Sequence, residues 1–418
     1  MKVFKFGGAS IKNPQAVRNM LDIVKSHSGE PLLIVVSAMG KTTNALEKIL
    51  NLACDQEDFT PELEKLYNYH KGIIDDLLSK PAKDPHPYLS SKVEEINQLL
   101  AGISDGTYDQ LYDQVICQGE LISSTIISDF FQQQDLPCQW LDARKYICTD
   151  STFREGKIDW TATSKKIKEQ VEPLVKEHII ITQGFIGSDI QNNPTTLGRE
   201  GSDFSAAIFC SCLEADSLTI WKDVEGVLSA DPKLEQQVVK YQYLSYQEAA
   251  EMTYYGASVI HPKTIKPLAL KGIPLYVRSF EDPKKPGTKI FEVDHQKLPP
   301  ALIHKFDQSL VSFRVKDFSF INEDNLSLIF HTLNQLNIKI NMMQNSAISF
   351  SVCIDHHEHQ IEQLEGRLDQ DFEILYNRHL HLITIKNYDQ PTIDRCIKGK
   401  EILLEQKTRS HFQALISN

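Results

Sequence analysis

No apolar run in this chain approaches the ~18 residues that a membrane-crossing helix needs, and the N-terminus lacks the basic-then-apolar pattern of an export signal. Basic residues gather only in short pairs such as Lys165-Lys166 and Lys284-Lys285, and the formal net charge is −12. A nucleic-acid-binding face built on a cationic stripe is therefore not expected, although an acidic total leaves room for a local cationic pocket. Cysteine is sparse: eight residues are scattered without a CxxC pair, and Cys210/Cys212 is the only close couple. That usage fits reduced thiols better than a disulfide framework, so a cytoplasmic protein with no membrane partner is expected. Short-period repeats and low-complexity tracts are missing, and no Ser-His-Asp or Cys-His set stands out.

The 418 residues, 41% apolar and 24% charged, are enough for two or three globular domains. Over the first ~300 residues short apolar runs alternate with helical stretches, the pattern of an α/β domain with a mostly parallel sheet. "PLLIVVSAMG" (31–40), "HIIITQGFIG" (178–187), "DSLTIWKDVEGV" (216–227) and "GIPLYVRSF" (272–280) read as strands. Polar helix dominates about 56–112, an expected helical insertion. Pro, Lys and Gly crowd together at 281–301 and place a boundary there, giving domains 1–297 and 298–418. Past the boundary come the strands "SLVSFRV", "ISFSVCI" and "LHLITI" and the helix "NLSLIFHTLNQLN". They suggest a small α+β module followed by a shorter second copy, with "GKEILLEQKTRSHFQALISN" read as helix-like and then a closing strand.

Chemistry concentrates at strand ends. In "MKVFKFGGASIKN" a strand runs into Gly7-Gly8, where two residues without Cβ let a ligand approach the backbone. A helix start follows, with Ser10 as N-cap, and offers free N–H groups to an anion beside Lys5. The same stretch reads equally as a Gly-rich turn with a solvated lysine. "MGKTTN" (39–44) invites a P-loop assignment, but the residue five positions before Gly40 is Val35, so that motif fails. What remains is a strand end with Ser37, Thr42 and Thr43 available to a ligand or to helix capping. "TTLGREGSDFSAA" (195–207) sets Arg199, suited to gripping a carboxylate, within four residues of Asp203, suited to orienting a lysine or meeting Mg²⁺. A structural turn with a local ion pair is the alternative. Glu120 in "CQGE" is expected at a helix start, favoured by the helix dipole. "DHHEH" (355–359) has a metal-like composition but follows a strand and is expected to be a solvated turn.

Taken in order, "KFGGAS", "VVSAMGKTTN", "GE", "TTLGREGSD", "KDVEGVLSADPK" and "YYGASVIHPKTIKP" resemble the aspartate kinases of the amino-acid kinase fold. The resemblance implies an α/β fold, a mostly parallel sheet sandwiched between helices, plus a C-terminal α+β ACT-like domain. It implies ATP-dependent phosphorylation of the β-carboxylate of L-aspartate with Mg²⁺, giving 4-phospho-L-aspartate, the first step toward lysine, threonine and methionine. Lys5 and Asp203 would be catalytic. ATP would be held by Lys5, Gly7, Gly8, Ser10, Lys222, Asp223, Lys233 and Ser258, and aspartate by Thr43, Glu120, Arg199 and Ser202.

Departures from the family pattern are Ser258 for a Lys, Leu228 for a Tyr, Lys233 for an Arg and Glu200 for a Gly or Asn. Lys263 is the nearest candidate to replace the missing lysine. The C-terminal part resembles the family's paired ACT modules, implying a homodimer. At the expected effector stretch, Asn341 and Ala347 stand where acidic residues are common, so weak or absent lysine feedback is expected. A monofunctional kinase is expected, since a fused homoserine dehydrogenase needs several hundred further residues. The alternatives are a kinase of another small carboxylate and a catalytically weak amino-acid-sensing protein of the same fold.

Overall fold

Leu32–Val36 is buried at every position, which a strand tolerates only inside a sheet covered on both faces. The computed structural model describes all residues except 28, 79–84, 102–106, 258–259, 294–296, 317–318 and 418. It divides into two compact units. Met1–Val227, Lys240–Ala250 and Ser258–His295 form the first, and Leu228–Val239, Glu251–Ala257 and Gln296–Asn418 form the second. Among the described residues no helix is long and apolar enough to cross a membrane.

The first unit contains β1 (Lys2–Phe6), β2 (Leu32–Val36), β3 (Cys138–Leu141), β4 (Ile179–Gln183), β5 (Ile186–Ser188), β6 (Pro194–Thr196), β7 (Ser217–Lys222), β8 (Tyr243–Leu244), β9 (Leu275–Ser279) and β10 (Thr288–Ile290). Eight of them form one sheet in the order β3-β4-β2-β1-β7-β9-β10-β8, and β5-β6 make a separate ribbon. All neighbours in the large sheet are parallel except β9 and β10. Alternation along β1 sends Phe4 and Phe6 into one core with helix Pro14–Lys25, the end of helix Thr60–Leu77 and the long helix Tyr108–Gln133. Lys5 therefore points to the opposite face, which helix Gly201–Cys212 covers.

The expected insertion is helical: Thr60–Leu77, His86–Ala101 and the start of Tyr108–Gln133 share a satellite core of Leu63, Leu66, Ile96, Leu100, Tyr112 and Val115 with helix Thr42–Cys54. The N-cap after β1 is Asn13, not Ser10. Asn13 accepts from Ala16 N–H at 2.9 Å with Pro14 in the first turn, and Ser10 lies one turn earlier in a 3-10 segment.

The second unit is an antiparallel sheet, β12-β13-β11-β14-β16-β15, from β11 (Ala301–Val315), β12 (Ile340–Asn345), β13 (Ser349–Asp355), β14 (Phe372–Lys386), β15 (Ile402–Lys407) and β16 (His411–Ile416). Two halves share the 15-residue strands β11 and β14. One half packs helices Glu323–Gln335 and Glu358–Leu368 on Val311, Phe313, Phe350 and Phe372; the other packs Gln390–Ile397 on Leu302, Ile383, Ile385 and Phe412. This is the ACT-like α+β arrangement. Among the described residues the second copy has a four-stranded sheet because it borrows the outer ends of β11 and β14, and it carries the single helix Gln390–Ile397. The helix-like reading of 399–407 is overturned, since Ile402–Lys407 is a strand hairpinned to β16.

Candidate active site

Parallel pairing sets Lys5 on β1 beside the end of β7, where Phe6 faces Trp221 and Lys222 follows. Lys5 Nζ lies 2.7 Å from Asp203 Oδ1 and Lys222 Nζ 3.6 Å from Asp203 Oδ2. Asp203 is in the first turn of helix Gly201–Cys212, where a carboxylate also meets the positive end of the helix. Burial raises its pKa, but the two lysine charges outweigh that and hold the carboxyl below its usual range. The consequence for folding has a definite sign. With a folded pKa below the unfolded one, the pair stabilises the protein above the ordinary aspartate range, and that contribution is lost as pH falls through the folded pKa.

These groups sit at one end of a cavity of about 640 Å³ that Thr43, Glu120, Arg199 and Ser202 also line. The first-unit residues expected to act on aspartate thus converge on the lysine–aspartate pair. Gly8 comes close enough to the following strand end that a Cβ would lie 2.7 Å from the Ala38 carbonyl oxygen and 2.8 Å from that of Gly40. Gly40 N–H donates to the Gly8 carbonyl at 3.0 Å, closing the floor of the cavity. Gly7 lies beside the Lys5 ammonium, where a Cβ would come within 3.3 Å of Nζ.

Glu120 needs a correction of cause. It is not at a helix start but in the middle of Tyr108–Gln133, 2% exposed, so no helix terminus acts on it. Burial pushes its pKa up to about 8, against the backbone N–H of Ala38 and the charge of Lys5, both of which lower it. Its Oε2 has no hydrogen-bond partner among the described residues. A buried acceptor facing a polar cavity is a receptor for a cationic or hydrogen-bonding group of a ligand.

Ser10 is 2% exposed and its hydroxyl donates to the Trp221 carbonyl at 3.2 Å, so it ties the 3-10 segment after β1 to β7 instead of lining the cavity. Thr42 donates its hydroxyl to the Met39 carbonyl at 2.7 Å, with His70 Nε2 at 3.2 Å. Burial pushes His70 down to about 4, so the imidazole that props up this helix start stays neutral. Asp223 is absent from the cavity lining, and Lys233 falls in the second unit with its N–H held by Asp231 Oδ1 at 2.8 Å. Ser258 lies outside the described residues. Lys263 Nζ stands 3.8 Å from Glu155 Oε1, and Glu155 lines the cavity. Glu200 lines it too, in a left-handed conformation (φ 54°), with Oε2 buried and unpartnered among the described residues.

Residue-by-residue reading missed Arg154, Phe185 and Thr196 on the cavity wall, and Asp113 behind them. Fully buried Asp113 accepts from Thr196 N–H at 2.8 Å, Thr196 Oγ1 at 2.7 Å and Arg154 N–H at 2.9 Å. The sequence carried little signal for it, since Asp113 stands between Tyr112 and Gln114 with Asp109 one turn earlier, like any polar helix position. Asp113→Ala strips the buried Thr196 N–H and the part-buried Arg154 N–H of their acceptor and is expected to destabilise the protein by roughly 1–3 kcal/mol, read as a lower urea midpoint.

A strand-end lysine pair around a buried aspartate, facing a polar cavity at the carboxyl ends of a parallel sheet, is the apparatus of a phosphoryl-transfer protein. The sequence pattern of the amino acid kinase family matches residues 1–279. Lysine-sensitive aspartokinase 3 of Escherichia coli K12 is 31% identical over 361 residues, 84% of this chain and 78% of that protein. Bifunctional aspartokinase/homoserine dehydrogenase 2 of Arabidopsis thaliana is 37% identical over 333 residues, 78% of this chain; the chain spans only 35% of that relative's length. The crystal structure of E. coli aspartokinase III with aspartate and ADP superposes with a TM-score of 0.83 at 26% identity, over 100% of this chain and 96% of that one. The chain belongs to the amino acid kinase family, and within it to the aspartokinases.

Proposed function

We propose that this chain transfers the γ-phosphoryl group of ATP to the β-carboxylate of L-aspartate, releasing ADP and 4-phospho-L-aspartate. The observation that carries this reading is the Lys5–Asp203–Lys222 cluster opening onto the cavity lined by Arg199, Thr43, Ser202 and Glu120. The acceptor carboxylate is itself the nucleophile, so no strong general base is needed, and catalysis reduces to positioning and charge neutralisation. Lys5 and Lys222 meet charge on the transferring phosphoryl group, with the Gly7-Gly8 backbone close by and Asp203 holding both ammonium groups in place. On the resemblance alone, Asp223, Lys233 and Ser258 are assigned to the nucleotide. Arg199 clamps one carboxylate of aspartate, Thr43 and Ser202 supply hydroxyls, and Glu120 receives the α-ammonium.

Mg²⁺ fits this donor set only as a companion of the nucleotide, because Asp203, the carboxylate that bridges the two lysines among the described residues, is already engaged by both. When bound, the ion neutralises phosphate oxygens. Residues 1–297 act as the catalytic domain and 298–418 as an ACT-like domain that pairs two copies. Edge strands β12 and β15 and the exposed Phe330, Met343 and Leu375 support that pairing. ADP formation with Mg-ATP, compared among L-aspartate, L-glutamate and no acceptor, tests the reading. A rate specific to L-aspartate supports it, and equal rates with all three contradict it.

Lysine feedback is expected to be weak. The Asn341 side chain is committed, accepting from Lys305 Nζ at 2.8 Å and donating to Gln308 and Asp355. Lys305 and Lys339 bring two cations beside it, which repel a lysine ammonium. Millimolar L-lysine should leave the initial rate within about twofold, and sub-millimolar inhibition would contradict this.

A further inference from the structure

The segment Asp355–His359 is more than a solvated turn. At the middle of the second unit β11 and β14 change register, from Lys305↔Leu382 to Gln308↔Leu380 and again before Leu310↔Asn377. Asp307 (φ 53°) and His379 (φ 54°) both take left-handed conformations at this irregularity. Such bulges re-aim side chains, and here they bring His379 Nδ1 to 2.7 Å from Asp307 Oδ1. On the other side of β11, β13 ends at Asp355, and the next residue, His356, donates its backbone N–H to the Asp307 carbonyl at 2.9 Å. Its ring meets that of His379 edge-to-face at 4.5 Å. Ligand atoms of Asp307, His356 and His379 all lie within 4.8 Å of one another.

The surroundings match what a metal-binding imidazole requires. Fully buried Ser309 places its Oγ 2.8 Å from His356 Nδ1, which fixes the ring and leaves Nε2 to act as a ligand. Glu358 Oε2 faces that Nε2 at 3.6 Å, while its other oxygen is held by Arg378 at 2.7 Å. We propose that Asp307, His356 and His379 form a binding site for a divalent transition-metal ion of the zinc class, with the Glu358 carboxylate beside His356 and a position left for solvent. Two imidazoles with carboxylate suit zinc, whereas calcium and magnesium select all-oxygen sets. The ion clips three adjacent strands, β13, β11 and β14, at the register shift between the two halves of the sheet. It lies in the second unit and takes no part in phosphoryl transfer.

The test uses the full chain stripped with a chelator and titrated with Co²⁺, followed by visible absorption, and with Zn²⁺, followed by calorimetry. One tight site per chain is expected, with the intense visible bands of four-coordinate cobalt displaced by zinc. His379→Ala, at an exposed position, should weaken zinc binding at least tenfold, and His356→Ala with His379→Ala at least a hundredfold. Ser309→Ala should weaken it roughly tenfold, the scale for loss of an orienting partner. Zinc should also raise the melting temperature of the parent chain but not of the double variant. A zinc isotherm unchanged in both His379→Ala and the double variant overturns the proposal, as does the absence of four-coordinate cobalt bands from the parent chain.

Discussion

Lys5→Met is expected to lower aspartate-dependent ADP formation by roughly a thousandfold, the scale of removing a cation that meets the charge of a transferring phosphoryl group. The methionine keeps much of the stem volume in a position that is 8% exposed, so the lost element is the ammonium. Asp203 then retains only Lys222, at 3.6 Å, and its carboxyl pKa rises because its largest charge partner is gone. The variant should therefore be less stable, and increasingly so at higher pH, where Asp203 must stay ionised while buried. A paired measurement separates the two effects: Asp203→Asn combined with Lys5→Met should recover melting temperature without recovering rate. Near-parental turnover in Lys5→Met would remove the lysine from the reaction altogether.

Glu120→Gln has the second large effect, and its sign depends on pH. Burial holds the Glu120 pKa at about 8 until a ligand binds, against an ordinary value of 4.5, so the native state binds more protons than the unfolded chain between those values. Stability from this group is fully present below the unfolded pKa and is lost as pH rises toward and through 8. Glutamine removes that dependence, so the variant should gain melting temperature over the parent at pH 9 and match it near pH 5. Activity should move the other way. Binding an α-ammonium converts Glu120 to its carboxylate, so the parent should release a proton on binding aspartate near pH 7 and show a falling KM toward pH 8. Glu120→Gln should raise KM for aspartate at least tenfold, with proton release abolished. Equal proton release by parent and variant, measured by calorimetry in two buffers of different ionisation enthalpy, would exclude Glu120 as the ammonium receptor.

Much of the first unit was legible because its signals are local. "KFGG" marks a strand end and a close backbone approach, and "LLIVV" marks a strand buried on both faces. Arg199 and Asp203 sit within one turn of each other, so their convergence needs no long-range knowledge. The failures are of the opposite kind. Gly119 before Glu120 looked like a helix boundary, yet it lies inside a 26-residue helix. Its missing Cβ admits Thr42 Cγ2, which a side chain there would meet at 2.9 Å. Ser10 reads as the cap in sequence, but its hydroxyl is taken up by the Trp221 carbonyl, a residue 211 positions away, and Asn13 caps the helix instead. The second ACT-like half looked too short because half of its sheet is the far ends of β11 and β14. Asp307, His356 and His379 meet only through a register shift that no local pattern announces.

The most direct test of the central claim is to trap the product. Purified chain, Mg-ATP and L-aspartate would be incubated with hydroxylamine, and the hydroxamate identified by mass spectrometry as the α- or β-isomer. Phosphorylation of the β-carboxylate predicts β-aspartyl hydroxamate, formed in step with ADP and lost in Lys5→Met. ADP release without any hydroxamate, or an α-hydroxamate, would contradict it.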